Sequence, residues 1–256
     1  MIGIFDSGSG GLTVLKAIRE QMPSCDVLYF GDIKNAPYGE KSSSELSLLT
    51  VRAIELLQKR GAGSIVSACN SVSASLAVSL FDAFSLAPTQ LIEMVGPTVR
   101  YVKDSPARLL LAATPATIRS EVYQNAFRMV GKEVETIAIP DLASAIEFGS
   151  SEEDIERIIR DALRGIQWNR SDVLILACTH YPLVSHLFER ILGDSVVLFD
   201  PAVAVGERVK KRLWPQEVGN GTTRFILSKD SEQFRALVAR LFPQDESAIE
   251  VVDPVR

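Results

Sequence analysis

Two cysteines are the residues of this chain best suited to chemistry, because each stands where an apolar run gives way to small polar side chains. In Leu174-Ile175-Leu176-Ala177-Cys178-Thr179-His180-Tyr181-Pro182 a thiol, a hydroxyl and an imidazole follow one another without a gap. The stretch Ile65-Val66-Ser67-Ala68-Cys69-Asn70-Ser71 repeats the pattern, with an amide and a hydroxyl after the thiol. A single cysteine at a strand end ordinarily just packs, since unpaired Cys is among the most buried residue types. Two in matching contexts, each followed by groups unsuited to a core, point to a shared site. A thiolate and a thiol on opposite faces of a flat carbon centre form a two-base pair: one removes a proton, the other returns a proton to the opposite face, and configuration inverts. The α-proton of an amino acid is far less acidic than a thiol, so the site also needs fixed donors for a substrate carboxylate and exclusion of water. An adjacent imidazolium favours the thiolate at Cys178, and a helix N-terminus directly after each thiol would do the same. His180 is of the one residue type that ordinarily titrates near neutral pH and can exchange protons with its neighbour. Asp6, His180 and Glu147 are the groups that could tune the thiols or hold a substrate ammonium.

Other chemistries fit the residues less well. A zinc site from Cys69, Cys178, His180 and His186 lacks the paired C-x₂₋₄-C ligands that structural zinc uses, so no metal is expected. Nucleophilic catalysis by a Cys and His pair leaves the second cysteine unexplained. The loop Gly8-Ser9-Gly10-Gly11 is no dinucleotide or P-loop fingerprint, because Thr13 stands where the third glycine belongs and no G-K-[ST] follows. It could still bring backbone N–H groups at a helix start close to a small anion. Cys25, between Ser24 and Asp26, reads as structural, and His186 as a residue of the following helix without a chemical role.

Delivering two thiols to one place requires elements that end at a common edge. Apolar runs predict strands over 1–5, 27–30, 64–68, 91–95, 108–113, 134–139, 173–177, 196–199, 223–227 and 249–252, the fourth stopped by Gly96-Pro97. Between them, helical spacing predicts helices from Leu12, from a cap among Ser42 to Ser44 as far as Gly61, and through Ala74, Leu76, Val78 and Leu80. Further helices are expected over 118–130, 142–148, 152–166, 183–192, 203–213 and 231–241. Strands that alternate with helices and are nearly continuous in Val, Ile and Leu indicate parallel sheets covered on both faces. The fold class is therefore α/β, with two similar three-layer domains, mostly parallel sheets and an active site in the crevice between them. The restart of the pattern divides the chain into 1–95 with 205–256 and 96–204. In such folds sites lie off the carboxyl ends of strands, where Asp6, Ser7, Cys69, Thr114 and Cys178 all fall.

Composition sets the outer bounds. The 256 residues, 46% of them hydrophobic, suffice for one large or two small cores. A net charge of −5 with scattered Lys and Arg gives no basic field for nucleic acid or anionic lipid. No apolar run reaches the ~18 residues of a membrane span, and the start lacks the marks of a signal peptide. A cytoplasmic protein with no nucleic-acid or membrane partner is expected. Three cysteines, an odd count, indicate reduced thiols rather than a disulfide framework.

The motifs Gly3-Ile4-Phe5-Asp6-Ser7-Gly8, Gly10-Gly11-Leu12-Thr13, Gly31-Asp32, Pro37-Tyr38-Gly39, Ala68-Cys69-Asn70 and Cys178-Thr179-His180-Tyr181-Pro182-Leu183 span most of the chain. In combination they resemble the glutamate racemases of the cofactor-independent aspartate/glutamate racemase superfamily. The resemblance implies two α/β domains, no cofactor, L- and D-glutamate as substrate and product, and Cys69 and Cys178 acting on opposite faces of the α-carbon. It implies that Asp6, Glu147 and His180 assist the thiols, and that Asp6, Ser7, Tyr38, Gly39, Asn70, Ser71, Thr179 and His180 bind or position the substrate; Thr114 and Thr117, in the loop after the strand over 108–113, are further substrate-binding candidates. It further implies a homodimer whose D-glutamate feeds peptidoglycan synthesis. Ser71-Val72 replaces the family's usual Thr-Ala, and Ala113 and Ala177 stand at frequent glycine positions. A racemase for aspartate or another amino acid would use the same thiols, and a non-catalytic binder of an acidic metabolite would keep the fold without needing them.

Overall fold

A computed structural model describes residues 1–73, 90–169, 172–243 and 248–252. Strands β1 (Ile2–Asp6), β2 (Val27–Gly31), β3 (Ser64–Ser67), β4 (Leu91–Ile92), β9 (Thr223–Leu227) and β10 (Ile249–Val251) form a six-stranded sheet in the order β10-β9-β2-β1-β3-β4. Strands β5 (Leu109–Ala113), β6 (Glu135–Ala138), β7 (Asp172–Ala177) and β8 (Val196–Phe199) form a four-stranded sheet in the order β6-β5-β7-β8. Among the described residues every strand pairing is parallel. The central strands carry apolar side chains on both faces, as burial on both sides demands.

Helices cover both faces of each sheet. On one face of the larger sheet, Ile2, Ile4 and Tyr29 pack against α1 (Leu12–Gln21), α10 (Pro201–Leu213) and α11 (Glu232–Leu241). On the other, Phe5, Leu28 and Ile65 meet Leu46, Ile54 and Leu57 of α2 (Ser43–Lys59). The smaller sheet is covered by α7 (Leu142–Glu147), α8 (Glu152–Leu163) and α9 (Ser185–Leu192) on one side. On the other lie α4 (Val95–Val102) and α6 (Val122–Met129). Local chemistry sets several starts. Ser42 and Glu45 form a reciprocal capping box at α2, Ser151 caps α8 and Ser231 caps α11. Asp200 accepts from the Ala202 N–H at 2.9 Å at the head of α10.

Three expectations are corrected. Gly96-Pro97 does not stop a strand at residue 95: β4 ends at Ile92, and both residues sit in the first turn of α4, where proline is tolerated. The Glu93 carboxylate accepts from Val95 N–H and Gly96 N–H there, at 2.5 and 2.7 Å. The helix expected over 118–130 is two, α5 (Pro115–Arg119) and α6, because Glu121 takes a left-handed φ of 53° that interrupts the i→i−4 ladder. After Cys178 comes a 3₁₀ turn, Tyr181–Val184, and helix α9 begins only at Ser185, so no α-helix N-terminus follows that thiol directly. After Cys69 a helical turn begins at once, α3 (Asn70–Ser73). The helix expected through Ala74, Leu76, Val78 and Leu80 lies outside the described residues beyond Ser73. The anticipated divisions at 95/96 and 204/205 fall at the start of α4 and inside α10. Among the described residues no helix is long and apolar enough to cross a membrane.

Candidate active site

The carboxyl ends of β1, β3, β5 and β7 converge on one cavity. Ser7, Tyr38, Gly39, Cys69, Asn70 and Ser71 line it from the side of the larger sheet, and Thr114, Glu147, Cys178, Thr179 and His180 from the side of the smaller. Both thiols are thus brought together on one space. Ala36, Pro37 and Ala143 complete the lining.

The Cys178 wall is organised by an ion pair. His180 Nδ1 lies 3.8 Å from Cys178 Sγ, and His180 Nε2 lies 2.6 Å from Glu147 Oε2. The same carboxylate oxygen accepts from the Ser9 N–H and hydroxyl, both at 2.8 Å. Burial alone would lower the imidazole's affinity for a proton, but its bonds to Cys178 and Glu147 and their negative charge hold His180 well above its ordinary pKa. Glu147 mirrors it: burial would raise its carboxyl, and His180 with the Ser9 donors brings it below the usual value. The protonated imidazole is thus set directly against Cys178 Sγ. Glu147 Oε1 is buried with no partner among the described residues.

The Cys69 wall is different. Its thiol faces the Ser7 hydroxyl at 4.0 Å, and no imidazole contact is found there among the described residues. Burial pushes the Cys69 pKa strongly upward and the charges of Asp6 and Cys178 add to this, against the Val72 and Ser71 N–H groups. Cys69 is therefore a thiol at neutral pH. The two sulfurs therefore stand in different settings, one against an imidazole and one against a serine hydroxyl.

Behind the lining sits a supporting layer. Asp6 does not reach the cavity: it accepts from Thr179 Oγ1 at 3.1 Å and Gly8 N–H at 3.0 Å, and burial raises its pKa against the opposing pull of His180 and the Gly8 and Gly11 amides. Thr117 also stands back, in a triangle of hydroxyls with Ser71 and Thr114 at 3.0 to 3.3 Å. Tyr38 donates to Asp32 Oδ2 at 2.7 Å, and Asn35 donates to the same carboxylate. Ala116 N–H donates to the Gly39 carbonyl at 2.8 Å.

The glycine loop after β1 holds a carboxylate of the protein itself, through the Ser9 N–H. A Cβ on Gly8 would stand 2.5 Å from Glu147 Oε2, and one on Gly10 would stand 2.5 Å from Thr179 Oγ1 and 2.7 Å from His180 Nδ1. The absent side chains let the opposite half's carboxylate and imidazole approach, and Glu147 takes the N–H that an anion would use. Cys25 is buried beside Arg19, and His186 is exposed on α9, 3.8 Å from Glu152. Ser9, Asp32 and Tyr123 (below) escaped sequence reasoning. Ser9 and Asp32 stood within quoted motifs, whereas nothing in the local pattern marked Tyr123.

Two thiols of opposite electrostatic setting on a cleft between two doubly covered parallel sheets describe an isomerase of the racemase class. The family model for Asp/Glu/hydantoin racemases matches residues 11–208. A glutamate racemase of Clostridium perfringens is 36% identical over 216 residues, 83% of this chain and 82% of that relative. Glutamate racemase isoform RacE1 from Bacillus anthracis has the same fold, with TM-score 0.88 and 28% identity over 100% of this chain and 98% of that one. The Francisella tularensis glutamate racemase, in complex with D-glutamate, gives TM-score 0.83 and 28% identity over 99% and 97%. The chain belongs to the Asp/Glu/hydantoin racemase family and is an amino-acid racemase.

Proposed function

We propose that this protein interconverts L- and D-glutamate by a two-cysteine acid/base mechanism without a cofactor. The observation that carries the reading is the pair of buried thiols on one cavity, with a carboxylate-paired imidazole set against Cys178 alone. Cys178 as thiolate takes the α-proton of L-glutamate, leaving a planar carbanion, and the Cys69 thiol delivers its own proton to the opposite face. The product is D-glutamate with the charges on the two sulfurs exchanged, and the reverse reaction starts from a Cys69 thiolate. Asn70, Ser71, Thr114, Thr179 and the backbone at Gly39 offer donors for the substrate carboxylates, while Asp6, Glu147 and His180 set charge. The similar relatives named as glutamate racemases, one of them holding D-glutamate, support glutamate as substrate.

The same reading places D-glutamate in peptidoglycan synthesis in the cytoplasm and the enzyme in a homodimer. It assigns 1–95 with 205–256 to one domain and 96–204 to the other, a division supported by the two separate sheets. Circular dichroism of purified protein with each enantiomer tests the activity: glutamate ellipticity decays to zero from both sides, and a folded protein that leaves it unchanged defeats the reading. Cys69→Ala and Cys178→Ala each abolish racemisation, and full activity in either defeats the two-base scheme. Equal kcat/KM for aspartate would redirect the substrate, and sedimentation checks the dimer.

A further inference from the structure

We propose that Tyr123 is a positioning residue of the racemisation site, acting through Asn70 so that the asparagine NH₂ faces the cleft and donates to the substrate's α-carboxylate. The inference rests on the glutamate-racemase reading. Tyr123 belongs to α6, beneath the smaller sheet, and its side chain is fully buried. Its hydroxyl reaches the half built on the larger sheet and donates to Asn70 Oδ1 at 2.6 Å.

The length of that bond fixes the amide. A separation of 2.6 Å suits O–H···O and is shorter than N–H···O bonds run, so the carbonyl oxygen faces the phenol and the nitrogen faces away. The phenol keeps its proton to donate, because burial pushes its pKa well up. Asn70 Nδ2 is then buried with no partner among the described residues, on a residue that lines the cavity immediately after Cys69. A buried donor without an acceptor destabilises a fold, and such groups are retained where something else supplies the acceptor. The α-carboxylate is bonded to the carbon whose proton Cys69 exchanges, so a donor beside that thiol is placed to meet it. The swapped amide would present a carbonyl oxygen to the carboxylate and repel it. Because Tyr123 and Asn70 come from opposite halves, their bond forms only when the halves meet, and closure aligns the amide.

Tyr123→Phe keeps the ring and removes the hydroxyl. With kcat and KM measured for both glutamate enantiomers, KM rises roughly tenfold, the scale of one lost hydrogen bond, and kcat stays within about threefold. In an Asn70→Ala background the same change alters KM by less than about twofold, since no amide remains to align. A second variant guards against poor folding of the first: Asn70→Asp retains an acceptor for the phenol but no donor, and loses glutamate affinity as fully as Asn70→Ala. Unchanged KM in Tyr123→Phe, equal losses in both backgrounds, a fall in kcat alone, or wild-type KM in Asn70→Asp would each overturn the inference while wild-type racemisation stands. A wild-type protein inactive on both enantiomers would sink the underlying reading and this one with it.

Discussion

At the scale of single residues, the proposed mechanism gives the pairing of His180 with Glu147 the task of deciding which sulfur is the base. Replacing Glu147 with Gln removes the charge that keeps the imidazole protonated, and His180 returns towards its ordinary pKa of about 6.5. Conversion of L-glutamate should then fall roughly 100-fold, the scale of an acid/base assistant, and decline further as pH rises through that value. A kcat/KM profile unchanged from wild type would remove the pair from the mechanism. The pair also links stability to pH. Glu147, depressed in the fold, stabilises above its unfolded pKa near 4.3 and loses this as pH falls through the folded value. His180, raised in the fold, stabilises below about 6.5 and loses this as pH rises through the folded value. The Tm difference between wild type and a Glu147→Gln/His180→Asn double variant should therefore peak between about pH 4.5 and 6.5 and shrink on both sides. The cysteines and His180 were legible in the chain because an apolar strand ending in reactive groups is a local pattern. Ser9 and Tyr123 were not, since a serine that holds a carboxylate from another element and a phenol that turns an amide acquire their meaning only through contacts distant in sequence.

At the scale of elements, the loop between β1 and α1 is shaped by what it must admit. Ala at Gly10 would put a carbon 2.5 Å from Thr179 Oγ1 and 2.7 Å from His180 Nδ1, so those side chains must move off the thiol wall. Racemisation should fall at least tenfold while stability falls by about 1–3 kcal/mol, the usual range for overpacking. Gly131 is the contrast: its φ is +72° with nothing within 4 Å of a new Cβ, so Gly131→Ala strains the backbone by about 1 kcal/mol and leaves kcat/KM unchanged. Comparing urea midpoints with activities separates the two. Element types along the chain followed from periodicity, because strands buried on both faces have little choice but Val, Ile and Leu. Boundaries failed where one backbone angle or one carboxylate cap decides, as at Glu121 and at Glu93 ahead of Gly96-Pro97.

At the scale of the molecule, the two halves are closed on each other. The cavity that both thiols line is ≈ 20 Å³, little more than a single water needs, so the proposed reaction calls for the halves to part before an amino acid enters. The seam that must open is polar: Ser9 with Glu147, Thr179 with Asp6, Ala116 with Gly39 and Ser71 with Thr114 all bond across it. Polar bonds exchange for water at modest net free energy, about 0.5–1.5 kcal/mol each, whereas the apolar cores on either side do not come apart. In the proposed mechanism such an opening would be local, and closure would remove water from the reacting α-carbon. Thiol labelling reads this equilibrium. Cys69 and Cys178 are 5% and 6% exposed, so iodoacetamide reaches them only through the open state and should modify them far more slowly than the thiols of urea-unfolded protein. Saturating D-glutamate favours the closed form and should slow both further, by a factor that grows with ligand concentration. Cys25, fully buried within the core of the larger-sheet half, should react only at the rate of global unfolding and show no dependence on partial opening. Labelling of Cys69 and Cys178 as slow as that of Cys25, or unaffected by D-glutamate, would mean that the seam does not open ahead of the core and that substrate enters by another route.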